Sequence, residues 1–169
     1  RHINHLLGVY PGTYIVPDRS ERDNELADAV KETLRVRGDM PSEGTINWAF
    51  AWKSTVWAKL AEGDKAYADY KRLITAANNR NSVGDNLFDV YGGYVFQIDA
   101  NLGGVAAVAE MLLSSTGDRI DPLAALPSTW REGSFKGLRA RGDFTIDAKW
   151  SNKKLDAMRI VSGSGKPCT

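Results

Sequence analysis

Apolar residues recur at helical spacing through most of the chain and at alternating spacing toward its end. Over residues 21–36, Leu26, Val30, Thr33 and Leu34 share one helical face, with Ser20 placed as N-cap and Gly38 as stop. Residues 47–61 are rich in Trp, Ala and Leu, and Gly63 follows just beyond. Residues 64–77 put Tyr67, Tyr70 or Lys71, and Ile74 along one side. The stretch from 101 or 102 to 113 is almost wholly apolar, which predicts a helix buried on all sides. Gly-, Pro- and Asn-rich connections separate these four segments. After Pro122 the period changes. Phe144, Ile146, Ala148 and Trp150 alternate with Thr145, Asp147 and Lys149, the mark of a strand covered on one face. Residues 151–154 read as a turn and 155–161 as a second strand, with an earlier short strand around 138–141. The pattern predicts a mainly α chain with a C-terminal β part, the switch falling near Pro127.

Composition narrows the possible partners. With 22 Lys plus Arg against 21 Asp plus Glu in 169 residues, no charge excess points to nucleic acid or an anionic membrane. No apolar run approaches the ~20 residues of a membrane-spanning helix. Cys168 is the lone cysteine, so the chain has no internal disulfide. Two histidines and one terminal cysteine without metal-ligand spacing predict no zinc site, and no cofactor is implied. The compartment is not fixed by these features.

One carboxylate stands out. The apolar run Tyr94-Val-Phe-Gln-Ile-Asp-Ala-Asn-Leu-Gly-Gly104 carries Asp99 toward a Gly pair and then a helical pattern. Burying an unpaired carboxylate is costly, so a charge placed there needs partners or a task. Gln97 and Asn101 flank it and offer hydrogen bonds. Two readings stay open on local physics: a helix N-cap supplied by Asp or Asn, or a catalytic group.

The segment Phe96-Gln-Ile-Asp-Ala-Asn-Leu-Gly-Gly104 resembles the Phe-Gln-Ile-Asp-Gly-Asn-Phe-Gly-Gly block of the family 95 glycoside hydrolases, which contains inverting α-L-fucosidases and related α-L-galactosidases. The opening Arg1-His-Ile-Asn-His-Leu-Leu-Gly-Val-Tyr-Pro-Gly12 resembles that family's Arg-His-x-Ser-His-Leu-x-Gly-x-Tyr-Pro-Gly block. Trp48-Ala-Phe-Ala-Trp-Lys53, Asn86-Leu-Phe-Asp89, and Leu126-Pro-Ser-x-Trp130 with Lys136-Gly-Leu-Arg-Ala-Arg-Gly142 match in the same order. The resemblance implies an (α/α)6 barrel followed by a small β domain. Residues 1–121 would be the last barrel helices and 122–169 the opening of the β domain. Relatives are several times longer, so the chain reads as a piece of a larger enzyme, partnered by the remainder of its parent polypeptide and by an oligosaccharide or glycan. Secreted, periplasmic and cell-surface locations all suit the family.

Inverting glycosidases place an acid at the leaving oxygen and a base behind a water on the opposite sugar face, roughly 6.5–9.5 Å apart. The resemblance implies that amide side chains hold this water and that an Asp, here Asp99, polarises them. It also implies that Arg1 and His2 bind the sugar, and that the general acid and the amide pair precede Arg1. The isolated chain is therefore expected to hydrolyse nothing. The rival reading is a non-catalytic glycan-binding or scaffolding remnant.

Other features have plainer readings. His5 is expected on a packed face. Trp48 and Trp52 share a helix face, and either could line a barrel mouth; Trp57 is expected in the core and Trp130 and Trp150 in the β region and its interface, and for each tryptophan burial without ligand contact is the favoured reading. Glu43 reads as a solvated loop charge. The triplets Arg37-Gly-Asp39 and Arg141-Gly-Asp143 read as Gly turns, and Gly103-Gly104 as close helix packing rather than a dinucleotide fingerprint. The chain departs from the family pattern at Ala100, where Gly is usual, and at Leu102, where Phe is usual. The family's His-Pro-Pro before the block is absent, with Tyr91 or Tyr94 in its place.

Overall fold

The computed structural model describes residues 2–37, 47–75, 81–83, 87–91, 95–117 and 119–168. Among them the chain forms a short 3-10 turn (Asn4–Leu6) and four α-helices, α1 (Glu21–Arg37), α2 (Asn47–Lys59), α3 (Gly63–Ile74) and α4 (Ile98–Leu112). A small antiparallel sheet of β1 (Asn81–Val83), β2 (Asp89–Tyr91) and β3 (Val95–Phe96) lies between α3 and α4 in sequence. After α4 come the hairpin β4 (Leu113–Thr116) and β5 (Arg119–Pro122), then the meander β6 (Gly133–Ala140), β7 (Phe144–Ser151) and β8 (Lys154–Ser162). The expected helical part followed by a β part is what the chain adopts. The five short strands before Pro122 were not legible, because runs of two to four residues are too short to display a period.

Helix α1 starts where Ser20 caps it. The Ser20 hydroxyl accepts the Asp23 N–H at 3.1 Å and donates to the Asp23 carboxylate. Asp23 also accepts from Arg19 at 2.7 Å and from the Val16 N–H at 3.1 Å. The Arg19 and Ser20 hydrogen bonds hold its carboxyl down at about 2. Ala27, Val30 and Leu34 point into the core, while Leu26 and Thr33 sit at its margin. The Gly38 stop lies outside the described residues.

Helix α2 is the central element, buried on nearly every side, and it packs against both α3 and α4. Trp57 is in the core, as expected. Helix α3 meets α2 through Ala66, whose carbonyl accepts the Ser54 hydroxyl at 2.7 Å. Its inward stripe is Ala66, Asp69 and Leu73, with Tyr67 and Tyr70 half-buried; Ile74, expected on that side, is turned one position out and is exposed.

Helix α4 corrects a second expectation. Ala100, Gly104, Ala107 and Met111 are buried, but Ile98, Leu102 and Val105 are 51%, 63% and 70% exposed. The helix has apolar residues on every side, yet the described chain covers one face only. Close approach makes that face. A Cβ on Gly103 would lie 2.9 Å from the Ala51 Cβ, and one on Gly104 would lie 2.8 Å from Leu73 Cδ2. The Gly pair is packing, as its sequence suggested.

In the meander, Phe144, Ile146, Ala148 and Trp150 alternate inward as the period predicts, over a cluster with Leu113, Phe135 and Ala140. Asn152 and Lys153, both at positive φ (49° and 63°), make the tight turn from β7 to β8. The Arg141-Gly-Asp143 triplet is the turn from β6 to β7: Gly142 has φ 84°, and Arg139 pairs with Asp143. The sheet is fastened to the helices at several points. Gly63 lies against the Ala125 carbonyl where no Cβ would fit, the Asp64 carboxylate accepts the Ser128 N–H at 2.7 Å, and Trp130 meets Tyr67 edge-on at 5.4 Å. Lys59 joins Glu110 at 2.7 Å beneath the β4–β5 hairpin.

Candidate active site at the start of helix α4

Three polar side chains organise the approach to α4. Asp89, on β2, is fully buried. Its Oδ1 accepts the side-chain amide of Asn47, the first residue of α2. Its main-chain N–H donates to the Asn101 side-chain oxygen at 2.9 Å, and its carbonyl accepts the Gln97 N–H at 3.0 Å. The Asn101 amide continues to the Leu87 carbonyl at 2.8 Å. The chain entering α4 is thus pinned from both sides by side-chain amides. Burial pushes the Asp89 carboxyl above its ordinary range; the Asn47 hydrogen bond opposes this, and the charge of Asp99 adds to it.

Asp99 sits within that frame and outside its core. It stands two residues past the N-cap Gln97, in the first turn of α4, and is exposed. Helix α4 begins earlier than the apolar pattern suggested, so neither Asp99 nor Asn101 is the cap, and the Gln97 side chain makes no capping bond. A negative charge at this position is favoured by the amide dipoles of the helix start. The neighbouring departure from the family pattern causes no backbone conflict: Ala100 is helical, fully buried and packed with Phe50, Ala51 and Leu73.

His2 approaches the same region through α2. Its ring stacks on Trp48 at 4.9 Å and 16°, and Trp48 stacks on Trp52 at 5.6 Å and 27°. The Arg37 guanidinium donates to the His2 carbonyl at 3.0 Å, and the Trp52 indole N–H donates to the Tyr10 carbonyl at 3.0 Å. Asn47 and Trp48, adjacent in sequence, therefore link the two parts of the site: one donates to Asp89, the other stacks on His2. Arg1, Glu43 and Tyr94 lie outside the described residues; Tyr91 is half-buried on β2.

His5 is exposed, not packed. In a 3-10 turn residues three apart align, so Ile3 and Leu6 take the inward positions and His5 faces away. Among the described residues no group of three or more His, Cys, Asp or Glu side chains converges as a metal site requires, and no helix is long and apolar enough to cross a membrane. Sequence reasoning missed Asn47 and Asp89 as site residues. The signal was present for Asp89, which ends the Asn86-Leu-Phe-Asp89 block as a carboxylate entering an apolar run, much as Asp99 does.

Comparison with known proteins is consistent along the whole chain. The profile of the glycosyl hydrolase family 95 catalytic domain matches residues 1–112, and that of the family's C-terminal domain matches 114–169. Alpha-L-fucosidase 2 of Arabidopsis thaliana is 41% identical over 162 residues, covering 92% of this chain and 18% of that protein. Two proteins named probable alpha-fucosidase A are similar as well. That of Aspergillus niger is 35% identical over 90% of the chain and 20% of its own length; that of Aspergillus oryzae is 32% identical over 92% and 23%. The chain spans about a fifth of the length of the curated relatives it matches.

Proposed function

The chain belongs to glycoside hydrolase family 95, and from that membership we propose that it is the closing part of the catalytic (α/α)6 barrel of an inverting exo-glycosidase, together with the opening of its C-terminal β domain. The substrate is a glycan ending in an α-L-fucosyl, or α-L-galactosyl, residue. In this reading residues 1–121 complete the barrel, with the β4–β5 hairpin at the junction, and 122–169 begin the β domain. The remainder of the parent polypeptide supplies the general acid and the amides that hold water.

The observation that carries the reading is the presentation of Asp99. It is an exposed carboxylate on a helix start hydrogen-bonded through Asn101 to Asp89, which Asn47 holds in turn, with His2 stacked on Trp48 in the first turn of α2. In the reaction one water attacks the anomeric carbon as the glycosidic C–O bond breaks. The acid protonates the departing oxygen, and the proton of the attacking water passes to the basic side. Asp99 acts as a positioning group there, accepting a hydrogen bond from the amides and sharpening their hold on the water. His2 and Arg1 offer an imidazole and a forked guanidinium to ring hydroxyls.

The test uses the parent polypeptide with aryl α-L-fucoside and aryl α-L-galactoside. Asp99→Ala should lower kcat by at least about 10²-fold, the usual scale of acid–base assistance, with an unchanged circular dichroism spectrum, and the wild type should release sugar of inverted configuration. The 169-residue chain alone should release none. Near-normal turnover by Asp99→Ala would remove that residue from the mechanism, and a parent polypeptide inert toward both glycosides would favour a glycan-binding role.

A further inference from the structure

Asp89 is sealed from solvent, yet it joins strand β2 to the starts of α2 and α4. A buried carboxylate is expensive unless its lone pairs are met. Asp89 is fully buried; among the described residues Oδ1 is met by Asn47 and Oδ2 has no hydrogen-bond partner. An apolar residue of similar volume would fill the position without that penalty, but it would leave the Asn47 amide unanswered at the start of α2. The main chain of the same residue holds α4 through Asn101 and Gln97. Side chain and main chain therefore look in different directions: one toward α2, which carries the Trp48–His2 stack, the other toward the turn that carries Asp99.

We propose that Asp89 is a positioning residue for Asp99 and His2, tying the first turn of α4 to the first residue of α2 so that the two groups face a sugar in fixed register. The inference rests on the role given to Asp99 above. It requires the hydrogen-bond acceptor at Oδ1 and no negative charge, so an amide in the same place suffices.

Both variants are made in the parent polypeptide, and two readouts are taken. Asp89→Ala should lower kcat about 10²-fold, the scale of a roughly 1 Å misplacement, with KM for the aryl glycoside unchanged. It should also speed hydrogen exchange of the amides of 97–102 by about tenfold, as local opening becomes easier. Asp89→Asn should restore both to wild-type values, because its carbonyl oxygen still accepts from Asn47. Exchange at 97–102 that is unaltered in Asp89→Ala overturns the proposal whatever the activity does. So does a loss of activity fully accounted for by a smaller folded fraction, or a failure of Asp89→Asn to rescue. Asp99→Ala, run alongside, separates the two claims: if it keeps full turnover the function assigned to Asp99 falls, while the exchange readout still decides whether Asp89 holds the turn.

Discussion

Three aspartates show how one side chain takes three roles according to what surrounds it. Asp23 is met by Arg19, Ser20 and the Val16 amide, and its carboxyl is held at about 2. Asp89 is met by one amide and sealed from water, and its carboxyl is pushed up. Asp99 is exposed on a helix start. The first case carries a pH prediction. Because Asp23 is more acidic folded than unfolded, it binds a proton less readily in the native state. Its stabilisation is therefore complete above an unfolded value of about 3.9 and fades as pH falls toward the folded value. Thermal unfolding of wild type and Asp23→Asn should differ most above pH 5, and the gap should close toward pH 2; a gap independent of pH would contradict the assignment. Of the three, only Asp99 was legible as a candidate in the sequence, through the motif around it. Asp23 was hidden because its partners act through a local turn whose geometry no period reports. Asp89 ended a matching block, but its burial was not legible, because that depends on α2, far away in sequence.

Helices were legible where one face was apolar and a cap was present, as in α1, which begins at Ser20 as expected. Phase was harder. In α3 the buried stripe runs through Ala66, Asp69 and Leu73, at i, i+3 and i+7, and Ile74, one position past it, is left outside. In α4 the glycines set the approach, and they differ in what they face. At Gly103 an added methyl meets the Cβ of Ala51, an atom fixed to the α2 backbone; at Gly104 it meets the tip of Leu73, which can rotate. Gly→Ala gains about 1 kcal/mol of helix propensity at either site, while forcing a methyl into a packed contact costs roughly 1–3 kcal/mol. The cost should prevail at Gly103, and the two effects should nearly cancel at Gly104. Denaturant unfolding should rank Gly104→Ala near wild type and Gly103→Ala clearly below it; the reverse order would mean that α2 and α4 are not locked at this crossing.

At the scale of the molecule, the chain has a helical core around α2 and a sheet core under β7, and both end in apolar surface that nothing in the described chain covers. Along α4 the stripe is Ile98, Leu102 and Val105; Leu87, Phe88 and Phe96 are exposed as well, the last two ring to ring at 5.0 Å. On β8, Leu155, Met158 and Ile160 lie opposite Trp150, Ala148 and Ile146 and extend the buried face of β7 into solvent. The uniform apolarity of α4 was legible in the sequence, but not which side stays open, because that depends on what packs there. Contiguous apolar surface of this kind is uncommon on a self-sufficient monomer and promotes association. A preparation of these 169 residues alone should therefore bind a hydrophobic dye and elute as a mixture of associated species. Leu102→Glu combined with Val105→Lys places opposite charges three residues apart on the open stripe, buries neither, and should lower dye binding and shift the chain toward monomer. In the parent polypeptide the same pair should be strongly destabilising if that stripe packs against further barrel helices, because both charges would then be buried. Equal tolerance in the two settings would mean that α4 keeps its outer face in water, and the barrel assignment for this helix would fail.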